Sequence, residues 1–427
     1  MTELISQRVI LPAAERAWSF NSERYRLASH VFSWIRRNKL ASIRIVLADG
    51  GSLARYPQGG GHWSCFLQYL FGLTDLGHDV FWLEVLDSSG NSDEDQQRIR
   101  TFFRRFKGYG FADRCAVLLY DRDVNEPTLE QACAYGMSSQ QIREIAKSAD
   151  LVWDFACGLK EPLLSLFSRR VLIDGDPGHL QVSAVSYDMG IHDHDVFLTA
   201  GTKLNDADCE VPTLGVNWRP FTQFVYLPMW DVAPDPGANA PFSSVTQWTW
   251  EELWLDDRVL SVSKRDAYLS YIQIPRRTQR PFELSVNIDP ADATGDRELL
   301  LRHGWKVPHP HRVARTPAAY QRYIKLSRAE FQCPKPIHKE LKTGWFSDRS
   351  ACYLASGRPV LAEDTGFSEQ LPTGRGLLCF NNLEEAIIGV EEIDRNYSQH
   401  MRAARELAEE YLSSRKWLPI MLAACGC

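Results

Sequence analysis

The chain has 427 residues, which at about 150 residues per domain points to two or three domains. Its 48 basic and 54 acidic residues leave a net charge of −6, against the basic balance of a protein that neutralises nucleic-acid phosphates. With 44% hydrophobic and 24% charged residues it reads as a soluble globular protein, and its apolar runs, such as Trp417–Cys425, fall short of the roughly 20 residues of a membrane helix.

Residues 1–40 read as an accessory helical segment, with Trp18, Tyr25, Val31 and Trp34 as a partial apolar stripe. Glu3, Arg8, Glu15 and Arg16 break up any signal peptide. Ten scattered cysteines suit free thiols in a reducing cytoplasm. Ile43–Ala48 is then a buried strand, and a glycine-rich stretch leads into a helix over Trp63–Leu76 that Gly77 ends. Val80–Leu86 is the next strand, completing a βαβ unit. Helices over Gln97–Phe106, Ser138–Ser148 and Glu161–Phe167 alternate with strands over Cys115–Tyr120, Leu151–Phe155, Arg170–Asp174 and Asp195–Thr199. This pattern predicts a doubly wound α/β domain.

Prolines at 212, 220, 228, 234 and 236 punctuate the next stretch like a linker. A second α/β half follows, with strands expected at Phe282–Val286, Trp305–Val307, Ala329–Cys333, Pro359–Ala362 and Leu377–Phe380. Helices are expected over Thr316–Leu326, Ser347–Ala355, Leu383–Asp394 and Tyr397–Leu412, with a last apolar segment over Trp417–Ala424. The domain reading is 1–215, a linker over 216–240, 241–400, and a C-terminal helix over 401–427 packing back on the first domain.

Two segments carry chemistry. Asp49-Gly50-Gly51 followed by Gly59-Gly60-Gly61-His62 joins the first strand to the first helix, at the strand ends where open α/β sheets bind ligands. Its glycines allow close backbone approach, and a helix N-terminus keeps His62 neutral, as a general base requires. The spacing is not a dinucleotide fingerprint, and no Walker A sequence occurs. The second segment is Thr343–Phe367: a loop at Gly344, a helix capped by Ser347 or Asp348, a Gly357-Arg358-Pro359 stop, a strand, and the polar turn Glu363-Asp364-Thr365-Gly366. A phosphate fits that helix N-terminus, where Arg349 adds a cation and Asp348 subtracts one. A carboxylate in the turn can accept hydrogen bonds from sugar hydroxyls.

This stretch resembles the donor-binding segment of GT-B fold glycosyltransferases. There a glycine-rich loop meets a short helix N-terminus, then an A-x-G-x-P-V turn and a strand ending in an acid. Here these are Gly344–Ser347, Ala355–Val360 and Glu363-Asp364. The resemblance is sharpest over residues 327–380 and is to a bacterial group whose acceptor is unassigned. Thr343 and Ser350 stand where the plant-type pattern has histidine and glutamate, and the paired glutamates of many retaining enzymes are absent.

The resemblance implies two Rossmann-like domains facing across a cleft, with C-terminal helices crossing back. It implies transfer of a sugar from a UDP-, GDP- or dTDP-sugar to a hydroxyl or amine of a small-molecule or glycan acceptor, in natural-product or glycan biosynthesis, without a required metal. Gly344, Ser347 and Asp348 would hold the diphosphate, with Arg328, Lys335 and Arg349 as cations and Lys342 as a further one. Asp364, Thr365 and Gly366 would meet the donor sugar. Gly60 and Gly61 would approach the donor diphosphate or the acceptor, and His62, helped by Asp49 or a carboxylate such as Asp174 or Asp176, would be the base if the enzyme inverts. Trp63, Asp176 and Trp248 would contact the acceptor, though packing against the hinge is the favoured reading for Trp248. Alternatives are a nucleotide-sugar epimerase of the same fold or a non-catalytic sugar-binding partner, and a homodimer stays open. His192–Asp195 and His309–His311 read as polar loop ends rather than metal sites. Of the 13 tryptophans, Trp63, Trp248, Trp250, Trp254 and Trp345 are placed to line the cleft, and Trp82 and Trp153 to fill a core.

Overall fold

Two mainly parallel sheets organise the chain. The computed structural model describes residues 42–427, apart from 123, 125 and 289–293. The segment expected to be helical over 1–40 lies outside the described residues.

The first sheet has eight strands: β1 (Arg44–Asp49), β2 (Asp79–Asp87), β3 (Cys115–Tyr120), β4 (Cys133–Tyr135), β5 (Leu151–Phe155), β6 (Arg170–Asp174), β7 (Val196–Thr199) and β8 (Trp218–Pro220). Their order is β4-β3-β2-β1-β5-β6-β7-β8, and only β4 runs antiparallel. The apolar run Ile45–Ala48 explains why β1 is central: it is buried on both faces, as parallel strands covered by helices must be. One face packs Ile45, Leu47, Trp82 and Trp153 under the helix Gly60–Asp75, and the other packs Val46, Ala48, Leu83 and Val152. The helix expected over Glu161–Phe167 is only a 3-10 turn at Leu164–Leu166. β8 falls within the proline-rich stretch and extends the first sheet.

The second half contributes β9 (Phe242–Gln247), β10 (Glu252–Leu255), β11 (Arg258–Ser261), β12 (Phe282–Asn287), β13 (Trp305–Lys306), β14 (Ala329–Gln332), β15 (Val360–Glu363) and β16 (Leu377–Phe380). Six of them form an all-parallel sheet in the order β13-β12-β9-β14-β15-β16, while β10 and β11 form a separate antiparallel hairpin. β9 is not evident from apolar patterning because Ser243 and Ser244 are buried in it. The Ser243 hydroxyl is satisfied by Ser327 at 2.5 Å and Tyr353 at 2.8 Å, so a polar residue can occupy a core strand.

After the helix Tyr397–Tyr411, which packs on the second half, the helix Ser414–Ala424 returns to the first. Leu418, Met421, Leu422 and Cys425 enter the first core, and Arg415 bonds Asp75 at 2.9 Å. The helix can lie this close because position 72 is glycine: a Cβ there would sit 2.4 Å from Leu418 Cδ1.

The halves also meet backbone to backbone. Gly60 N donates to Ala314 O at 2.8 Å, and a Cβ on Gly60 would lie 2.4 Å from Ala314 O and 2.5 Å from Thr316 O. Neither neighbour is a side chain that can swing away. Gly60→Ala is therefore expected to lower stability by about 1–3 kcal/mol in urea unfolding. Gly61→Ala, whose new methyl would meet only the Tyr320 ring at 3.7 Å, is the control and should not destabilise. Equal midpoints for both variants would contradict this packing.

Candidate functional site

Both sheets present their carboxyl edges to the same region. In open parallel sheets, ligands bind where strand order reverses, because adjacent loops diverge there and leave a crevice. In the second sheet that point lies between β9 and β14. The connection leaving β9 runs through the β10–β11 hairpin to Lys264, and the one leaving β14 reaches Lys335.

Lys264, Lys335 and Arg349 gather here. Lys264 is half-buried, with its ammonium 5.7 Å from the Trp345 ring centre. Burial first, then the positive charges of Arg349 and Lys335, lower its pKa to about 7. Arg349 is held by Glu330 at 2.5 Å and by Val245 O at 2.8 Å, while its Nη2 is buried without a partner. Ser347 precedes the helix Asp348–Ala355 in extended conformation, and its hydroxyl makes no capping bond. Ser350 Oγ is buried and also unpartnered. Free donors and cations at one helix N-terminus make an anion site.

Asp176, at the turn after β6, supplies the counter-charge. It pairs with Lys335, and lies 3.1 Å from His338 Nε2 and 3.5 Å from His179 Nδ1. Burial alone would raise its pKa, but Lys335, His179 and His338 hold it well below the usual carboxylate range. His338 stacks on Trp345 with centroids 4.4 Å apart and planes 10° apart. Trp345 Nε1 donates to Gly175 O at 3.1 Å. Asp174 anchors this turn by accepting from Asp176 N, Gln181 and Thr199, and burial lifts its pKa to about 6.

His62 lies at the start of the Gly60–Asp75 helix and opens to solvent. Surrounding protein lowers its pKa, opposed by the carboxylate of Asp348 across the cleft. The same carboxylate adds to burial in raising the pKa of the Cys65 thiol. His62 is thus neutral at neutral pH. Asp49 is not its helper. Its carboxylate accepts from Ser52 N at 2.6 Å and Ser52 Oγ at 3.2 Å, closing the turn after β1. Burial raises the Asp49 pKa to about 6.

Several expected site residues serve packing instead. Trp63 is fully buried against Phe102 and Phe106, because residue 63 faces the sheet when residue 62 faces the cleft. Trp248 is buried and donates to Asp296 at 2.9 Å. Arg328 precedes β14, at the amino end opposite the crevice, and bonds Asp394 at 3.0 Å and Asp235 at 3.1 Å. The Arg349 charge is largely spent on Glu330. Gly60 contacts the backbone of the second half, as described. Gly344, with φ +69°, abuts Thr202 and Lys203, and Thr202 Oγ1 donates to Gly344 O at 2.8 Å. Gly366 lies against the stem of Lys203, whose ammonium reaches Glu369 at 2.6 Å. Asp364 turns back on its own loop, accepting from Gly366 N at 2.9 Å and Ser368 N at 3.3 Å. Thr365 is buried and donates to Trp345 O at 2.7 Å. Lys342 points to Asp208 at 3.7 Å. Lys335, Ser347, Asp348, Asp176 and His62 are brought together around the crevice.

Lys264, His338 and Lys203 were missed. No motif marks Lys264, because a hairpin separates it from its strand. The run Lys335–His338, which opens the short helix Pro336–Glu340, was a usable signal for His338.

No family model matches the chain, and no curated protein matches it. Solved structures do share its architecture. Anabaena HepE, in complex with UDP and glucose, superposes with a TM-score of 0.55 at 10% identity, over 90% of this chain and 100% of that one. A glycosyltransferase from Rickettsia africae superposes with a TM-score of 0.51 at 12% identity, over 90% of this chain and 98% of that one. The chain has the GT-B fold: two Rossmann-like halves across a cleft, with a C-terminal helix crossing back. No helix among the described residues is long and apolar enough to cross a membrane.

The site carries an electrostatic burden that can be measured. The Lys264 pKa is about 7 folded and about 10.4 unfolded, so the unfolded chain holds more protons between those values. The cost of burying the charged lysine is full below pH 7 and fades as pH rises towards 10.4. Lys264→Met should therefore stabilise the protein at pH 6.5, with the gain shrinking by pH 9.5 in paired urea titrations. A gain independent of pH would contradict the placement.

Proposed function

We propose that the chain is a nucleotide-sugar-dependent glycosyltransferase. The cation site at the start of the Asp348–Ala355 helix, facing a neutral histidine across the cleft, carries this reading. The second half takes the diphosphate of a UDP-, GDP- or dTDP-sugar from a cytoplasmic pool, and the first half takes the acceptor. A neighbour of the same fold that is bound to UDP and glucose supports a nucleotide-sugar donor.

In the reaction, an acceptor hydroxyl oxygen attacks the anomeric carbon as the bond from that carbon to the diphosphate breaks. The attack comes from the face opposite the diphosphate, which inverts the anomeric centre, and His62 takes the hydroxyl proton. Charge accumulates on the departing diphosphate, and Lys335, Lys264, Ser347 and the helix N–H groups meet it there. Asp176 releases Lys335 as the diphosphate arrives. Trp345, stacked on His338, walls the site from water, limiting hydrolysis of the donor. This reading needs no bound metal.

Calorimetric titration with UDP, GDP and dTDP tests the donor site, and at least one should bind. Lys335→Ala should weaken that nucleotide about 10- to 100-fold, the worth of a charged hydrogen bond. If none binds, the reading fails. Conversion of a UDP-sugar to its epimer with no acceptor present would replace it with an epimerase.

Turnover should also have a narrow pH window. His62 must be neutral, so activity rises with pH through a pKa below the ordinary histidine value. Lys264 must be charged, so activity falls above about pH 7. Lys264→Arg should remove the alkaline limb of kcat/KM, and His62→Asn should lower turnover about 100- to 10,000-fold.

A further inference from the structure

We propose that the open face of the β10–β11 hairpin is a platform for a neutral oligosaccharide acceptor, leading into the cation site. The proposal rests on the transferase reading above.

The hairpin joins neither main sheet. It is nevertheless firmly seated, since Leu253, Leu255 and Leu260 are buried against Leu180, Val182 and Trp218 of the first half. Side chains alternate across a strand, so the residues between these leucines face outward. Trp254 and Val259 sit directly opposite one another and are 61% and 44% exposed, and Trp250, just before β10, is 43% exposed. Most of the other indoles among the described residues are buried. Two large rings held open on an ordered scaffold form a recognition surface with little left to order on binding.

The charge around the rings selects the occupant. Glu251, Glu252, Asp256 and Asp257 are exposed beside them, and the hairpin's own cation, Arg258, pairs with Glu210 at 2.8 Å. An acidic rim repels anionic bilayers and nucleic acids. It suits a saccharide: the apolar C–H face of a sugar ring lies on an indole, and its hydroxyls donate to carboxylates.

The face also points into the site. The Ser263 hydroxyl accepts from Trp250 N at 2.6 Å and donates to Trp250 O at 2.8 Å, and Lys264 follows directly. Glu251 reaches His179 Nε2 at 3.4 Å, and His179 neighbours Asp176. A glycan lying from Trp254 to Trp250 ends beside the donor diphosphate.

The full chain is titrated with cellohexaose and maltohexaose by calorimetry and tryptophan emission, with UDP titrated on the same samples. At least one saccharide should bind. Trp254→Ala and Trp250→Ala should each weaken it about tenfold, Trp254→Phe should restore most of the loss, and UDP binding should not change. Absence of saccharide binding, or equal binding by the alanine variants, overturns the platform while UDP binding leaves the transferase reading standing. Failure of the unaltered chain to bind UDP, GDP and dTDP alike overturns that reading instead. Trp254-dependent sedimentation with phosphatidylserine-containing vesicles, or a Trp254-dependent dimer in light scattering, would assign the face to a membrane or a second copy and overturn the proposal.

Discussion

An excess of positive charge in a confined cleft governs this molecule. Lys264, Lys335 and Arg349 lie within mutual electrostatic reach, answered mainly by Glu330 and Asp176. Removing an ammonium from water costs several kcal/mol unless a counter-ion replaces the lost hydration. Glu330 is fixed on β14 and belongs to Arg349. Asp176 comes from the other half of the molecule, so the ion that quiets Lys335 also draws the halves together.

That coupling explains why so many contacts between halves are made by backbone. Gly60 against Ala314 and Thr316, Gly344 against Thr202, and Gly366 against the Lys203 stem all allow approach that a side chain would prevent. Glycines of this kind were expected to cradle phosphate. They instead set how near the two sheets stand, and thereby where His62 lies relative to the helix at Asp348. Conformational freedom and small size serve geometry here, while cations and helix N–H groups supply the charge.

Much of the fold was legible because buried parallel strands are written as uninterrupted apolar runs, as in Ile45–Ala48 and Val171–Ile173. β9 was not, since two buried serines, Ser243 and Ser244, interrupt it, and Ser243 is satisfied only by residues distant in sequence, Ser327 and Tyr353. The site was half legible. Lys335, Ser347 and His62 flank recognisable loop-to-helix junctions. Arg328 immediately precedes β14, at the end away from the crevice, and spacing cannot convey strand direction until topology is known. Trp63 and Trp248 were ambiguous because indole serves cores and sugar sites equally well. Burial against Phe102 and Phe106, and a bond to Asp296, decide both for the core.

The returning helix Ser414–Ala424 has a consequence for biosynthesis. It caps apolar surface on the Gly60–Asp75 helix, yet Arg415 and its partner Asp75 are 340 residues apart in the chain. At about 5–20 residues per second, roughly 20–70 s of translation separate the surface from its cover. Throughout that interval the nascent first half displays an incomplete core around Leu70 and Leu73, so it depends on shielding until the Ser414–Ala424 helix emerges. The protein matures as one body, finishing its first half only after its second.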